Sequence, residues 1–278
     1  MRRSWITLGA LLASVIALGL FVWLKPPKPQ DISFAVSTLK PKDASKLSLQ
    51  RKGKPLAALE KRGNEWVMTE PITAPADAFQ VLRLLVILEA KSPLQYPASD
   101  LAKFELDAPQ AEIIINGQRF AFGAINAVTR EQYVLTQNFV YPLETRFGAA
   151  VPANAQALLR RSVLAPNDAP VQFEFGTFSV ATDGRKWTAT PPAGEISQDD
   201  YNRWVAQWRE GSALRTEASD NRKALSEIRI TLKDGVKVTL DVVQVEPELV
   251  VRRADLGLQF VFVGDMGNQM MAPPMARK

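Results

Sequence analysis

A Gly-x-x-Trp tetrapeptide occurs twice in this chain, as Gly63-Asn-Glu-Trp66 and as Gly184-Arg-Lys-Trp187, 121 residues apart. Each copy reads as a turn feeding a short strand, and prolines close it, Glu70-Pro71 in one and Pro191-Pro192 in the other. A helical pattern follows both times. In the second copy it runs from about Ser197 to Gly211, with Tyr201, Trp204, Val205 and Trp208 at i, i+3, i+4 and i+7. Ser197 and Asp200 there resemble a capping box with Asp in place of Glu. In the first copy the pattern starts at Thr73 to Pro75 and reaches about Ala90. Its apolar residues, Phe79, Val81, Leu82 and Leu84 to Leu88, cover most of the circumference, so burial against a sheet or a partner helix is expected.

Hairpins close each copy. Glu112–Ile115 and Arg119–Phe122 meet at Asn116-Gly117, and Ile228–Leu232 and Val236–Val243 meet at Lys233-Asp234-Gly235. Gln132–Thr136 and Phe139–Pro142 are mirrored by Glu248–Arg252 and Gln259–Val263. Order, spacing and turn chemistry agree on an internal duplication. The fold class expected is α+β, with one N-terminal transmembrane helix followed by two tandem repeats, each a helix packed on antiparallel strands. Trp66 and Trp187 should pack on the helix of their own repeat. Residues 152–161 read as a short helix.

Ahead of the repeats stands Trp5 to Leu24, an apolar run of 20 residues without a charge. As a helix it would be about 30 Å long, the thickness of a bilayer's hydrocarbon core. Arg2 and Arg3 precede it, Lys25, Pro26 and Pro27 follow, and Trp5 and Trp23 mark its ends. The run ends in Phe21-Val-Trp-Leu-Lys25 rather than in a small-residue cleavage site, so a retained signal anchor is expected rather than a cleaved leader. The basic N-terminus places residues 1–24 as cytoplasmic end plus anchor. The expected organisation continues with a proline-rich spacer at 25–45, repeats at 46–165 and 166–265, and a flexible Met-rich tail at 266–278. The C-terminal part would then lie outside the cytoplasmic (inner) membrane, in the periplasm.

Composition removes more functions than it suggests. The net charge of +5 falls to +3 once Arg2 and Arg3 are set aside, and its charges are interspersed, so a nucleic-acid partner has no footprint. The chain contains no cysteine, which excludes disulfides, thiolate metal sites and a cysteine nucleophile. It contains no histidine, which excludes a Ser-His-Asp triad and the commonest metal ligand.

Four sets of residues carry chemistry worth weighing. Ser37-Thr-Leu-Lys40, Ser219-Asp220-Asn221 and Lys233-Asp234-Gly235 together echo the serine acyl-transferases of the penicillin-binding type. That chemistry requires Ser-x-x-Lys to open a core helix, whereas here it lies in a proline-flanked spacer. Asp199-Asp200 opens a helix, where acids complement the dipole. Met266, Met270, Met271 and Met275 are soft donors of the kind that hold Cu(I), set against a disordered-terminus reading. Tyr201, Trp204 and Trp208 could stack on glycan, but their helical spacing favours core packing. No residue is assigned a catalytic, cofactor or metal role.

The anchor, Gly-x-x-Trp, the following helix, Phe104-Glu-Leu-Asp-Ala-Pro109 and the antiparallel hairpin together resemble a domain-of-unknown-function family of membrane-anchored envelope proteins. Some members are encoded beside gliding-type ABC-transporter auxiliary subunits. The match is best over about Leu47 to Pro142. Glu105 stands where the family commonly has glycine, which permits positive φ. The resemblance implies architecture and location and supplies no catalytic residues. The function expected is therefore a non-catalytic, single-pass envelope protein serving as a protein-interaction or scaffolding module, accessory to an ABC-type transport complex. Its partners would be the lipid bilayer through Trp5 to Leu24 and other membrane or envelope proteins. The alternative is an ectodomain that recognises polysaccharide or peptidoglycan in the groove between units.

Overall fold

The computed structural model describes Val15, Leu20 and residues 33–192 and 194–275. The expected anchor over Trp5 to Leu24 lies outside those residues apart from Val15 and Leu20, which are helical and exposed. Among the described residues, no helix is long and apolar enough to cross a membrane.

The first half of the described chain contributes strands β1 (Phe34–Ala35), β2 (Lys46–Arg51), β3 (Lys54–Arg62), β4 (Glu65–Glu70) and β5 (Ala74–Pro75). Helix α1 (Ala78–Leu85) follows and tightens into a 3-10 turn at Val86–Glu89. Then come β6 (Lys91–Ser92), β7 (Tyr96–Pro97), β8 (Ala111–Ile115), β9 (Gln118–Ile125), β10 (Glu131–Thr136), β11 (Phe139–Glu144) and helix α2 (Arg146–Ala149). The second half contributes β12 (Pro170–Glu174), β13 (Ser179–Thr182), β14 (Trp187–Thr190) and helix α3 (Gln198–Glu210). It ends with β15 (Arg215–Ala218), β16 (Ser226–Leu232), β17 (Lys237–Gln244), β18 (Glu248–Arg253), β19 (Leu258–Val263) and helix α4 (Gly264–Met271).

These strands form three antiparallel sheets. One has nine strands in the order β5-β4-β3-β2-β8-β9-β10-β11-β7, another has eight in the order β14-β13-β12-β16-β17-β18-β19-β15, and β1 pairs with β6. With β5 set aside, the two large sheets share one strand order. Their turns correspond as well, Gly63 with Gly184 and Gly117 with Gly235, all at positive φ.

The α+β expectation is overturned: the protein is mostly β. The helical periodicity is genuine but short, eight residues in α1 and thirteen in α3, against sheets of nine and eight strands. Strands of two residues, such as β5 and β7, leave no alternation to read. Thr73 to Pro75, expected to open a helix, instead lead into and form β5 at Ala74–Pro75, and Asp77 caps α1 by accepting from the Phe79 and Gln80 amides. Residues 264–271, expected mostly within a flexible tail, form α4, with Met270 fully buried.

Alternation fixes which strand faces meet the helices. Leu47, Leu49, Leu59, Trp66, Met68, Ile113 and Ile115 point inward from the first sheet and share a core with Val81, Leu84 and Leu85 of α1. Phe173, Val180, Ile228, Ile230, Leu240 and Phe260 do the same in the second sheet, beneath Tyr201, Trp204, Val205 and Trp208 of α3. Trp208 is completely enclosed, with Phe173 and Phe175 about it at centroid distances of 6.1 and 5.9 Å. Trp66 is buried and Trp187 is half-buried, on the strands that α1 and α3 respectively touch.

One short segment joins the sheets edge to edge. Ala76 bridges Leu159, the Asp77 amide donates to the Leu158 carbonyl at 2.8 Å, and the Arg160 amide donates to the Pro75 carbonyl at 3.0 Å. On its other side the Arg161 carbonyl accepts from the Ala213 amide at 2.9 Å, and the Arg160 carbonyl accepts from Thr216 Oγ1. Residues 158–161 thus run between the β5 end of one sheet and the β15 edge of the other. A helix was expected over 152–161, but only Ala155–Leu158 turn, as a 3-10 segment.

Candidate functional site

The three fragments of acyl-transferase type do not converge. Ser37 is 5% exposed and lies beyond β1 rather than at a helix start. Its Oγ donates to Gln118 Oε1 at 2.7 Å and accepts from the Leu39 amide at 3.0 Å, while Lys40 faces solvent. Ser219-Asp220-Asn221 precedes β16 and Lys233-Asp234-Gly235 follows it, so a strand of about 20 Å separates them. Lys233 to Gly235 form the hairpin turn that the sequence suggests, with Asp234 Oδ1 accepting from the Val236 amide.

Several carboxylates are committed to arginines and amides. Asp200 accepts from Ser197 Oγ at 2.6 Å and from Arg203 at 2.8 Å, and both hold its pKa below the ordinary range. Asp220 is lowered first by the Arg222 amide and then by its guanidinium, and Glu248 is lowered by Arg215. Asp255 is lowered by Arg253, whose buried guanidinium makes a two-pronged contact at 2.7 and 2.8 Å. Each of these shifts favours the charged form, the opposite of what a general acid needs.

The methionines divide. Met270 is in the core and Met271 packs against it, whereas Met266 and Met275 are exposed. The sulfurs are therefore not a free set for one ion. The end of α4 and the residue after it meet α3: Trp204 Nε1 donates to the carbonyls of Gln269 and Ala272 at 3.2 and 2.9 Å. A shallow groove of about 260 Å³ lies there, between Asp200, Arg203, Gln207 and Pro273. A larger hollow of about 540 Å³ opens beside Val86, Lys91, Glu131, Glu144 and Phe147. Arg146 at its rim pairs with Glu144 at 3.0 Å with both side chains mostly exposed, a weak recognition device.

The two helices provide an internal comparison. Aligned on their caps, Asp77 and Ser197, they bury corresponding residues: Val81, Leu84, Leu85 and Leu88 against Tyr201, Trp204, Val205 and Trp208. On the outward side they differ in kind. Phe79 and Leu82 of α1 are 66% and 52% exposed, and their counterparts on α3 are the exposed polar Asp199 and Asn202. The sequence shows this stripe as apolar but not as uncovered; lining up the two repeats on their caps would have exposed the contrast.

Residues 158–161 lie along two of the four outer edges of the large sheets, pairing with the β5 end and bonding Thr216 Oγ1 and the Ala213 amide on the β15 side. The remaining pair is short. β7 has two residues and ends in Pro97, which has no N–H to offer. β14 meets the side chain of Gln198, which bonds both backbone groups of Trp187.

A family model described as a domain of unknown function (DUF4340) matches residues 66–232, more than half of the chain. The match runs from Trp66 in β4 to Leu232 at the end of β16 and so takes in helices α1 to α3. No curated protein and no solved structure matches the chain.

Proposed function

This chain belongs to the domain-of-unknown-function family DUF4340, and on that premise we propose that it is a non-catalytic, membrane-tethered envelope scaffold. In this reading Trp5 to Leu24 hold the chain in the inner membrane and the β-sheet body stands in the periplasm. There it binds other membrane proteins, among them subunits of an ABC-type transport complex. The observation that carries the scaffold role is the seam at residues 158–161, which ties two like-ordered sheets into one body. A firmly joined body suits the display of surfaces at fixed spacing. The dispersed serine and lysine fragments and the arginine-bound carboxylates agree with a role outside bond-making chemistry. The alternative is an ectodomain that recognises polysaccharide or peptidoglycan in the groove between the units, whose adjoining edges residues 158–161 bridge.

Photo-crosslinking of the full chain in native membranes tests this reading. Recovery of transport-complex subunits supports it. Recovery of cell-wall glycan without protein, or release of the chain from membranes by alkaline carbonate, would refute it.

A further inference from the structure

The outward stripe of α1 leads to the place where the N-terminal part of the chain enters the fold. Phe79, Leu82 and Val86 are spaced i, i+3 and i+7, one face of the helix and the turn that extends it. Four residues beyond Val86, the Ala90 carbonyl accepts from the Val36 amide, and Lys91–Ser92 pair with Phe34–Ala35. The end of the stripe and the entry of the chain therefore coincide. From Lys25 to Ser33 there are nine residues, which reach at most about 30 Å. An anchor ending at Leu24 would keep this corner of the molecule close to the lipid headgroups.

The chemistry of the corner suits such a surface. Phe34 of β1 and Leu94, two residues past β6, are exposed. Exposed Arg83 and Lys91 lie along the stripe. The 3-10 turn Pro41–Asp43, which touches the Val86–Glu89 turn, brings exposed Lys40 and Lys42 beside it. Asp43 and Glu89 are the exposed carboxylates set among these cations, with Glu131 and Glu144 across the neighbouring hollow. An apolar face flanked by lysine and arginine is the signature of a helix lying in the interfacial layer. The other half of the molecule is an internal control, since α3 has the same fold position with Asp199 and Asn202 outward.

We propose that the outward face of α1, Phe79 and Leu82 with Arg83 and Lys91 beside them, seats on the surface of the bilayer that holds the anchor. The body is then pinned at two points and faces its second half away from the membrane. This inference rests on the membrane-tethered reading above.

The absence of cysteine makes the test direct. Single-cysteine variants F79C, L82C, D199C and N202C of the full chain carry an environment-sensitive fluorophore. They are reconstituted into phosphatidylcholine–phosphatidylglycerol vesicles with and without nitroxide-labelled lipid. The expected result is blue-shifted emission and loss of fluorescence to the nitroxide at 79 and 82, with neither at 199 or 202. Adding L82E to labelled F79C should abolish the loss. Alkaline extraction of the same vesicles separates the two readings. A chain stripped off by alkali overturns both. In a chain that resists alkali, equal quenching at 79 and 199 overturns this inference alone. So does crosslinking between the cysteines of two F79C chains without quenching, which would assign the face to a second copy.

Discussion

The side-chain amide of Gln198 bonds the backbone of Trp187 as a neighbouring strand would: Oε1 accepts from the Trp187 N–H at 2.7 Å and Nε2 donates to its carbonyl at 3.0 Å. At the corresponding place in the first half, the Trp66 carbonyl accepts from the backbone amide of Ala76 at 2.9 Å. One side chain therefore closes an edge that backbone closes in the other half. Gln198→Ala should cost about 0.5–1.5 kcal/mol in urea denaturation. It should also promote self-association through β14, read by sedimentation velocity, since an open edge invites pairing. A variant with unchanged midpoint and unchanged sedimentation would show that the amide has no such role.

The seam predicts coupling between the halves. Leu159 is buried and bridges Ala76, while its neighbour Arg160 reaches β15. Leu159→Ala should lose about 2–5 kcal/mol. It should also split a single calorimetric transition into two, as each half loses its hold on the other. One sharp transition at the parent temperature would count against the seam.

Burial on α1 separates neighbours that a hydropathy scale treats alike. Leu84→Ala removes a fully buried side chain and should cost about 2–5 kcal/mol. Leu82→Ser, two residues earlier, should stay within about 0.5 kcal/mol of the parent in detergent solution. Thermal melts of the pair decide the matter: equal losses would mean that Leu82 is covered.

Glu105 occupies the left-handed region, φ 54° and ψ 38°, at the end of the 3-10 turn Leu101–Phe104. A side chain there costs about 1–2 kcal/mol relative to the right-handed region, and glycine avoids most of that. Glu105→Gly should therefore stabilise by about 1 kcal/mol, whereas Glu105→Val should destabilise. Equal midpoints for glycine and valine would contradict the assigned turn. The backbone keeps the conformation that glycine would favour, although this chain has glutamate there.

Acid sensitivity follows from Arg253 and Asp255. The guanidinium, which also donates to the Val163 carbonyl at 2.8 Å, holds the carboxyl below its ordinary pKa. Between the folded and unfolded values the unfolded chain binds more protons, so stability falls as pH falls. The contribution is complete above about pH 4 and disappears as pH drops through the lowered value. Asp255→Asn should therefore be less stable than the parent at pH 7, and the gap should narrow as pH falls below the ordinary carboxylate range. A gap of constant size from pH 7 into the acid range would rule out the charge interaction as its source.

Local features were legible where a chemical rule acts over a few residues. Ser197 does accept from the Asp200 amide, at 3.2 Å, and α3 spans Gln198–Glu210 against an expected Ser197 to Gly211. Gly117 and Gly235 do turn their hairpins, at φ 89° and 87°. What escaped was set by partners far away in sequence. Ala74–Pro75 are a strand because Val67 and Met68 pair with them, not because of any local pattern. Residues 158–161 leave the helical path to serve two edges at once. The exposure of Phe79 and Leu82 is equally invisible to periodicity, which shows that a face is apolar without showing what covers it.

The seam also decides how this molecule can be divided. A chain shortened to begin at Ala165 would leave Arg215–Ala218 with a bare flank, and one ending before Leu158 would uncover Pro75 and Asp77. Whichever fragment keeps those four residues leaves the other incomplete. The halves share a plan, yet both bond the same strip of backbone, so no single cut leaves each half its own copy of it.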